Sequence, residues 1–297
     1  MRKIGFIGIG IMGKPMAGNL LKAGFPVKVF DINSDAVDEI VHAGAERGRS
    51  PQNVAETSEV IITMLPNSPE VRQVILGDDG VIYGAHKGSI VIDMSSIDPS
   101  VSKEVAAELA TRGLRMLDAP VSGGEVGAVK GTLAIMVGGD KGDFDECQDI
   151  FKAMGSTITH TGAIGSGNVT KLANQIIVAL NIAAVSEALV LAAKAGVSPE
   201  VVYNAIRGGL AGSAALDAKA PLMLQRKFDP GFRIRLHIKD LLNVMSAGNT
   251  VGAPLPLTSM ALEIMKALRE QGCGDLDHSA VVRFYENLAG IELSQDR

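Results

Sequence analysis

Short apolar runs alternate with amphipathic stretches along the first half of the chain. The runs are rich in β-branched residues, and the stretches between them place apolar residues at helical spacing. This alternation is typical of a doubly wound α/β fold with a mostly parallel sheet. The predicted strands cover residues 4–7, 27–30, 60–64, 89–93, 115–118, 133–137 and 157–160.

The strand pattern stops after residue 167, where the chain becomes rich in alanine and leucine and is predicted to be helical. The first helix, 168–195, carries no charge from Leu172 to Ser186, as expected for a buried central helix. Asn174, Gln175 and Asn181 make it too polar for a lipid-facing span, so no membrane helix is predicted. We predict an α/β domain over 1–162 and an all-α domain over 163–297.

A GxGxxG motif lies directly between the first predicted strand and the first predicted helix. In such a motif Gly8 permits the tight turn, Gly10 lets a pyrophosphate approach the backbone, and Gly13 lets helix and strand pack closely. The segment, which includes Ile11 and Met12, places the phosphates at the helix N-terminus. The α/β domain is therefore predicted to be a Rossmann domain that binds a dinucleotide.

The second strand ends in Asp31, where an acidic side chain meets the ribose hydroxyls of a bound dinucleotide. A carboxylate there repels a 2′-phosphate, and no arginine follows immediately. NAD is therefore the predicted cofactor, with NADP as the alternative. The other interpretation of Asp31 is a plain cap for the next helix.

The charge and the cysteine content indicate a protein that acts on small molecules in a reducing compartment. The net charge is −5 and the basic residues are scattered, so neither nucleic acid nor a membrane surface is an expected partner. The two cysteines have no CxxC spacing, so no disulfide framework and no metal site are predicted. We expect a cytoplasmic protein.

Ser122, Gly123 and Gly124 follow a predicted strand, at the carboxyl edge where open α/β sheets place ligands. Their backbone amides and the serine hydroxyl are suited to bind a substrate carboxylate. The alternative is an ordinary turn.

Lys171, Asn174 and Gln175 share one face at the start of the charge-free helix. An ammonium there is suited to donate a proton to a carbonyl oxygen during hydride transfer, with Asn174 holding the geometry. The alternative is a lysine that reaches solvent from the helix start. The histidines are isolated along the sequence and are interpreted as structural or surface groups: His42, His86, His160, His237 and His278.

Together the glycine motif, the 118–124 loop and the segment from Gly165 to Asn174 resemble the β-hydroxyacid dehydrogenase family over nearly the whole chain. A fourth family element, an aromatic residue followed by alternating apolar positions and a Lys-Asp pair, occupies 232–240. Many relatives have Asn-Asn where this chain has Asn174-Gln175, which leaves the role of the second amide open.

The resemblance implies an oxidoreductase that interconverts a small semialdehyde and a hydroxy acid. It implies that Lys171 is the acid/base, that Asn174 orients the substrate, and that Ser122, Gly123 and Gly124 bind the substrate carboxylate. It also implies a set of residues beside the cofactor, which comprises Leu65, Pro66, Ser96 and, near the nicotinamide end, Lys239.

Three alternatives stay open at this stage. Sibling dehydrogenases with other small substrates share every motif named above. A catalytically silent nucleotide-binding protein of the same fold is disfavoured by Lys171, and an imine reductase on the same scaffold is expected to lack that lysine. The long apolar helical half predicts a homodimer or homotetramer.

Overall fold

The computed structural model describes residues 1–293 and divides into two compact units, Met1–Lys171 and the described residues from Leu172 onward. The first unit is a sheet with flanking helices, and the second is helical, which confirms the predicted fold class. The domain boundary predicted at residue 162 stays a prediction.

The first unit is built on a nine-stranded sheet. The strands are Ile4–Ile7 (β1), Val27–Phe30 (β2), Glu46–Arg47 (β3), Val60–Thr63 (β4), Ile90–Asp93 (β5), Arg115–Asp118 (β6), Val121–Ser122 (β7), Leu133–Gly139 (β8) and Gly155–Gly162 (β9). Their order across the sheet is β3-β2-β1-β4-β5-β6-β8-β7, and β9 pairs with β8. Strands β1 to β6 are parallel to one another, whereas β8 runs antiparallel to β6 and β7 and parallel to β9.

Helices cover both faces of this sheet, which is why its central strands β1, β4 and β5 are buried along their whole length. In β4, for example, Val60 and Ile62 pack into one core while Ile61 packs into the other. The helices are Gly13–Lys22 (α1), Ser34–His42 (α2), Pro51–Ala55 (α3), Ser68–Leu76 (α4), Val81–Gly84 (α5), Pro99–Thr111 (α6), Gly124–Lys130 (α7), Lys141–Glu146 (α8) and Gln148–Met154 (α9).

The strand order reverses between β1 and β4, which lie side by side. In open α/β sheets a ligand binds at the carboxyl ends of the strands beside such a reversal. The fold therefore places the ligand site where the loops after β1, β2, β4 and β5 emerge.

Helix Ser166–Lys194 (α10) begins in the first unit and continues into the second. The second unit has a core of its own, with Ile182, Leu241 and Met265 at its centre. Its other helices are Pro199–Ile206 (α11), Ala214–Leu224 (α12), Ile234–Val251 (α13), Pro256–Leu268 (α14) and Val282–Ala289 (α15), with a π-helical turn at Arg269–Cys273 and a 3₁₀ turn at His278–Val281.

By length and composition alone, α10 is apolar enough to cross a membrane, and it is the one such helix within residues 1–293. Buried core helices of water-soluble proteins pass the same test. Two of its polar side chains, Gln175 and Ser186, are buried and hydrogen-bonded to protein groups. Gln175, one of the polar residues noted in the sequence, is thus bonded inside the protein.

Candidate functional site

The loop between β1 and α1 has the close contacts that a dinucleotide-binding turn needs. Gly8 has a φ of +100°, and a Cβ atom there would lie 2.2 Å from the carbonyl oxygen of Met64. A Cβ on Gly13 would lie 1.8 Å from the carbonyl oxygen of Gly8. Gly10, by contrast, has no neighbouring heavy atom within 4 Å of such a Cβ, and no side chain caps the start of α1. The loop therefore leaves open backbone beside a helix N-terminus, which suits a pyrophosphate.

Asp31 connects this loop to the end of β2. Its carboxylate accepts hydrogen bonds from the backbone N–H of Ile9 at 2.6 Å and of Asn33 at 2.8 Å. The interpretation of Asp31 as the cap of the next helix is wrong, because the side chain of Asn33 caps α2 by accepting from Asp35 and Ala36. Asp31 instead lies beside the glycine loop, where the sequence predicts that it meets the ribose hydroxyls of the dinucleotide.

The loop after β4 lies next to the glycine turn, and the loop after β5 is bonded to the loop after β4. Leu65 donates its backbone N–H to the Ser95 hydroxyl at 2.9 Å, and its side chain approaches Gly8. Pro66 follows Leu65, and Ser96 follows Ser95 in the loop after β5. Leu65, Pro66 and Ser96, the predicted cofactor-flanking residues of the first unit, therefore lie at the same edge of the sheet as the glycine motif and Asp31.

Ser122 ends β7, and Gly123 and Gly124 lead into α7. Gly123 has a φ of 128° and Gly124 a φ of 60°, which side chains rarely adopt. This turn depends on glycine at both positions, and its role in binding a carboxylate stays a prediction.

Lys171 is buried on α10, and the residues before it are bonded to two other elements. Asp118, at the end of β6, accepts the backbone N–H groups of Gly165 and Asn168, each at 2.7 Å. The Asn168 side chain accepts the backbone N–H of Ile97 at 3.0 Å and donates to the Ser102 hydroxyl at 3.1 Å. Burial raises the pKa of Asp118 to about 7.

In the second unit, Asn174 and Lys239 belong to one series of side-chain contacts. Asn174 donates its side-chain amide to the Gln175 carbonyl oxygen at 2.9 Å, and Gln175 donates to Asp240 at 2.5 Å. The ammonium of Lys239 pairs with the other oxygen of Asp240 at 2.9 Å. Gln175 is therefore the link between Asn174 and the Lys-Asp pair.

A second buried network adjoins Gln175. The Nδ1 atoms of His237 and His278 lie 3.0 Å apart, and Nε2 of His237 lies 3.3 Å from the Gln175 backbone carbonyl oxygen. Asp277 bonds to the Lys219 ammonium through both oxygens at 3.0 Å. Burial opposes the ionisation of Asp277, but His278, Lys219 and backbone N–H donors outweigh it and lower the pKa of Asp277 to about 2.

Comparisons with known proteins assign the chain to a family. Residues 3–162 match the model of the NAD-binding domain of 6-phosphogluconate dehydrogenase, and residues 165–285 match that of the NAD-binding domain of NADP-dependent 3-hydroxyisobutyrate dehydrogenase. The chain is 44% identical over 292 residues to 2-hydroxy-3-oxopropionate reductase of Escherichia coli (strain K12), covering 98% of this chain and 100% of the relative.

The chain belongs to the β-hydroxyacid dehydrogenase family. The 2-(hydroxymethyl)glutarate dehydrogenase of Eubacterium barkeri is 40% identical to this dehydrogenase, with 98% of this chain and 97% of the relative covered. A solved structure of Mycobacterium tuberculosis 3-hydroxyisobutyrate dehydrogenase with L-serine superposes with a TM-score of 0.89 at 36% identity, covering 95% of this chain and 98% of that one.

The dehydrogenase consists of NAD(P)-binding domains, so its cofactor is NAD, with NADP possible. The open backbone at Gly10 and the uncapped start of α1 fit the phosphates of this group, and Asp31 lies beside them.

No group of three or more potential metal ligands occurs in the part of the chain that the structure describes. Both cysteines are buried free thiols.

Sequence reasoning missed the supporting residues Asp118, Asn168 and Asp240. Asp118 stood in a recognised loop and Asp240 in a recognised pair, but their partners are distant along the chain. The available signal was a polar residue within a recognised motif or near the start of the charge-free helix, which does not identify a partner.

Proposed function

We propose that this dehydrogenase reduces tartronate semialdehyde (2-hydroxy-3-oxopropanoate) to D-glycerate with NADH. The observation that carries the proposal is the 44% identity over 98% of the chain to 2-hydroxy-3-oxopropionate reductase. It is supported by the residues of the family motifs, which include a lysine at the acid/base position.

The proposed reaction assigns a role to each part of the site. Bound nicotinamide cofactor supplies the hydride. Lys171 donates a proton to the carbonyl oxygen of the substrate, and Asn174 orients that substrate. The backbone N–H groups of Ser122, Gly123 and Gly124 and the Ser122 hydroxyl are assigned to the substrate carboxylate, and Lys239 is assigned to the nicotinamide end of the cofactor.

A panel of aldehydes and hydroxy acids, each assayed with NADH and with NADPH, tests the substrate and cofactor together. We expect the highest kcat/KM for tartronate semialdehyde with NADH. The second candidate activity is that of a 3-hydroxyisobutyrate dehydrogenase, which is favoured by the match of the C-terminal half and by the Mycobacterium tuberculosis structure. A higher kcat/KM for 3-hydroxyisobutyrate, glyoxylate or succinic semialdehyde would replace the proposed substrate.

Asp31→Ala is expected to reduce the preference for NADH over NADPH. The substitution removes an acceptor for the ribose hydroxyls and the charge that repels a 2′-phosphate. It also removes the bond to Ile9, so NADH binding weakens as well. The ratio of kcat/KM for the two cofactors measures the effect, and Asn33→Ala, which removes only the cap of α2, is the control. If the ratio is unchanged in Asp31→Ala, Asp31 stabilises the glycine loop but does not determine the cofactor preference.

We further propose that the protein is a cytoplasmic homodimer or homotetramer. Helix α10 presents exposed apolar side chains along its length, including Val169, Ile177 and Leu191, and burial of such a stripe against a second copy is favourable. Light scattering is expected to give a multiple of 31.0 kDa. A monomer mass at assay concentration would refute the assembly.

A further inference from the structure

The N-terminal turn of helix α10 is held by two buried polar residues. Asp118 accepts the N–H groups of Gly165 and Asn168 on different carboxylate oxygens, each at 2.7 Å. Asn168 then bonds through its side chain to Ile97 and Ser102. Asp118 and Asn168 are both fully buried. The helix start is thus connected to β6 and to the loop after β5.

We propose that Asp118 and Asn168 are positioning residues that hold Lys171 in place for proton transfer. The proposal rests on the proposed function, because it assumes that Lys171 is the acid/base. Lys171 follows Asn168 by three residues, about 4.5 Å along the helix axis, so the two residues lie within one helical turn. A displacement of Asn168 therefore displaces Lys171 with it.

The backbone around Asp118 leaves no space for another group to take over its hydrogen bonds. A Cβ atom on Gly138 would lie 2.4 Å from Oδ1 of Asp118, and one on Gly167 would lie 2.3 Å from the Asp118 carbonyl oxygen. Because the packing is this close, a lost bond at Asp118 is not replaced by water. The helix start must shift or leave an N–H group without an acceptor.

The charge of Asp118 decides how well it holds the helix. Burial raises its pKa to about 7, and the buried carboxylate of Asp93, its register partner on β5, acts in the same direction. The N–H groups of Gly165 and Asn168 act in the opposite direction. Two lysines are carried by the elements around this turn: the stem of Lys103, on α6, approaches Gly165, and Lys171 is on α10 itself.

Protonation of Asp118 converts one of its oxygens from an acceptor into a hydroxyl donor. One of the two bonds to the helix is then weakened, so the position of Lys171 is less well defined below about pH 7. We expect kcat for carbonyl reduction to fall on the acid side of this pH. Lys171 does not cause this fall, because acid favours its protonated, donating form.

Asp118→Asn tests the proposal, because the amide has one acceptor oxygen and copies the protonated acid at every pH. We expect kcat for reduction to be lowered by about 10- to 100-fold at alkaline pH, with the acid-side fall near neutrality abolished and the Kd for NADH unchanged. The control is Asp143→Asn, which neutralises another buried carboxylate in the same unit, one that pairs with Arg115. This control is expected to keep the wild-type pH profile.

Asn168→Ala keeps Asp118 and removes only the bonds to Ile97 and Ser102. It therefore tests the positioning role of this turn even if Asp118→Asn does not fold. We expect Asn168→Ala to lower kcat while keeping the acid-side fall. Wild-type kcat in the folded Asp118→Asn or Asn168→Ala variant overturns the proposal. If Lys171→Ala retains wild-type turnover, the proposed acid/base fails instead, which distinguishes the two failures.

Discussion

Replacing Lys171 by alanine is expected to lower turnover by about 10²- to 10⁴-fold while NADH still binds. The substitution removes the proton donor and also the charge that stabilises the developing alkoxide. The glycine loop, Asp31 and Leu65 are untouched, so the cofactor site remains. Stopped-flow measurement of NADH oxidation, with a fluorescence titration of NADH binding, separates the two effects.

The direction of the reaction sets the pH dependence of this step. In reduction the lysine donates a proton and must be protonated, whereas in oxidation it accepts the hydroxyl proton and must be neutral. Oxidation of the hydroxy acid is therefore expected to rise with pH up to the point where the amine dominates. This rise should be lost in Lys171→Ala.

Lys171→Arg serves as the matched variant, because it keeps the charge and stays protonated at every working pH. It is expected to be inactive in oxidation, since it cannot accept a proton. Near-wild-type turnover in Lys171→Ala with intact NADH binding would refute the assignment. The next residue to test would then be Lys239, which pairs with Asp240.

Gly13→Ala is expected to have the largest effect on the cofactor site. Its methyl group would lie 1.8 Å from the Gly8 carbonyl oxygen, and that atom is backbone of the turn itself. The turn and the start of α1 must separate, at a cost of about 1 to 3 kcal/mol or more in the free energy of unfolding. Urea unfolding measures this loss, and the displaced loop should no longer bind NADH.

Gly10→Ala is the control for this prediction. A Cβ atom on Gly10 has no heavy atom within 4 Å, so the free energy of unfolding is expected to stay as in the wild type. NADH should nevertheless bind more weakly, because the methyl group occupies the side from which a pyrophosphate approaches. Equal stability losses in the two variants, or unchanged NADH affinity in Gly10→Ala, would contradict this account of the loop.

The fold class could be predicted because its signals are local. Strands buried on both faces are apolar up to their last residue, as at Val60–Thr63 and Ile90–Asp93, and helices between them have a different period. The two-residue strands Glu46–Arg47 and Val121–Ser122 were missed, because two residues show no period. Strand β8 extends to Gly139, beyond the predicted end, because its terminal glycines resemble a turn in the sequence.

By itself, the sequence determined the longer strands, the helices between them, the glycine turn and the residue types that chemistry needs, because each depends on neighbours within one element. Only the tertiary structure decided what holds those residues. Asp118 meets Gly165 and Asn168 across 47 and 50 residues, and Gln175 meets Asp240 across 65. His237 and His278, isolated along the chain, lie side by side. Such pairs form when packing brings distant elements together and burial requires each polar group to find a partner, which no local pattern records.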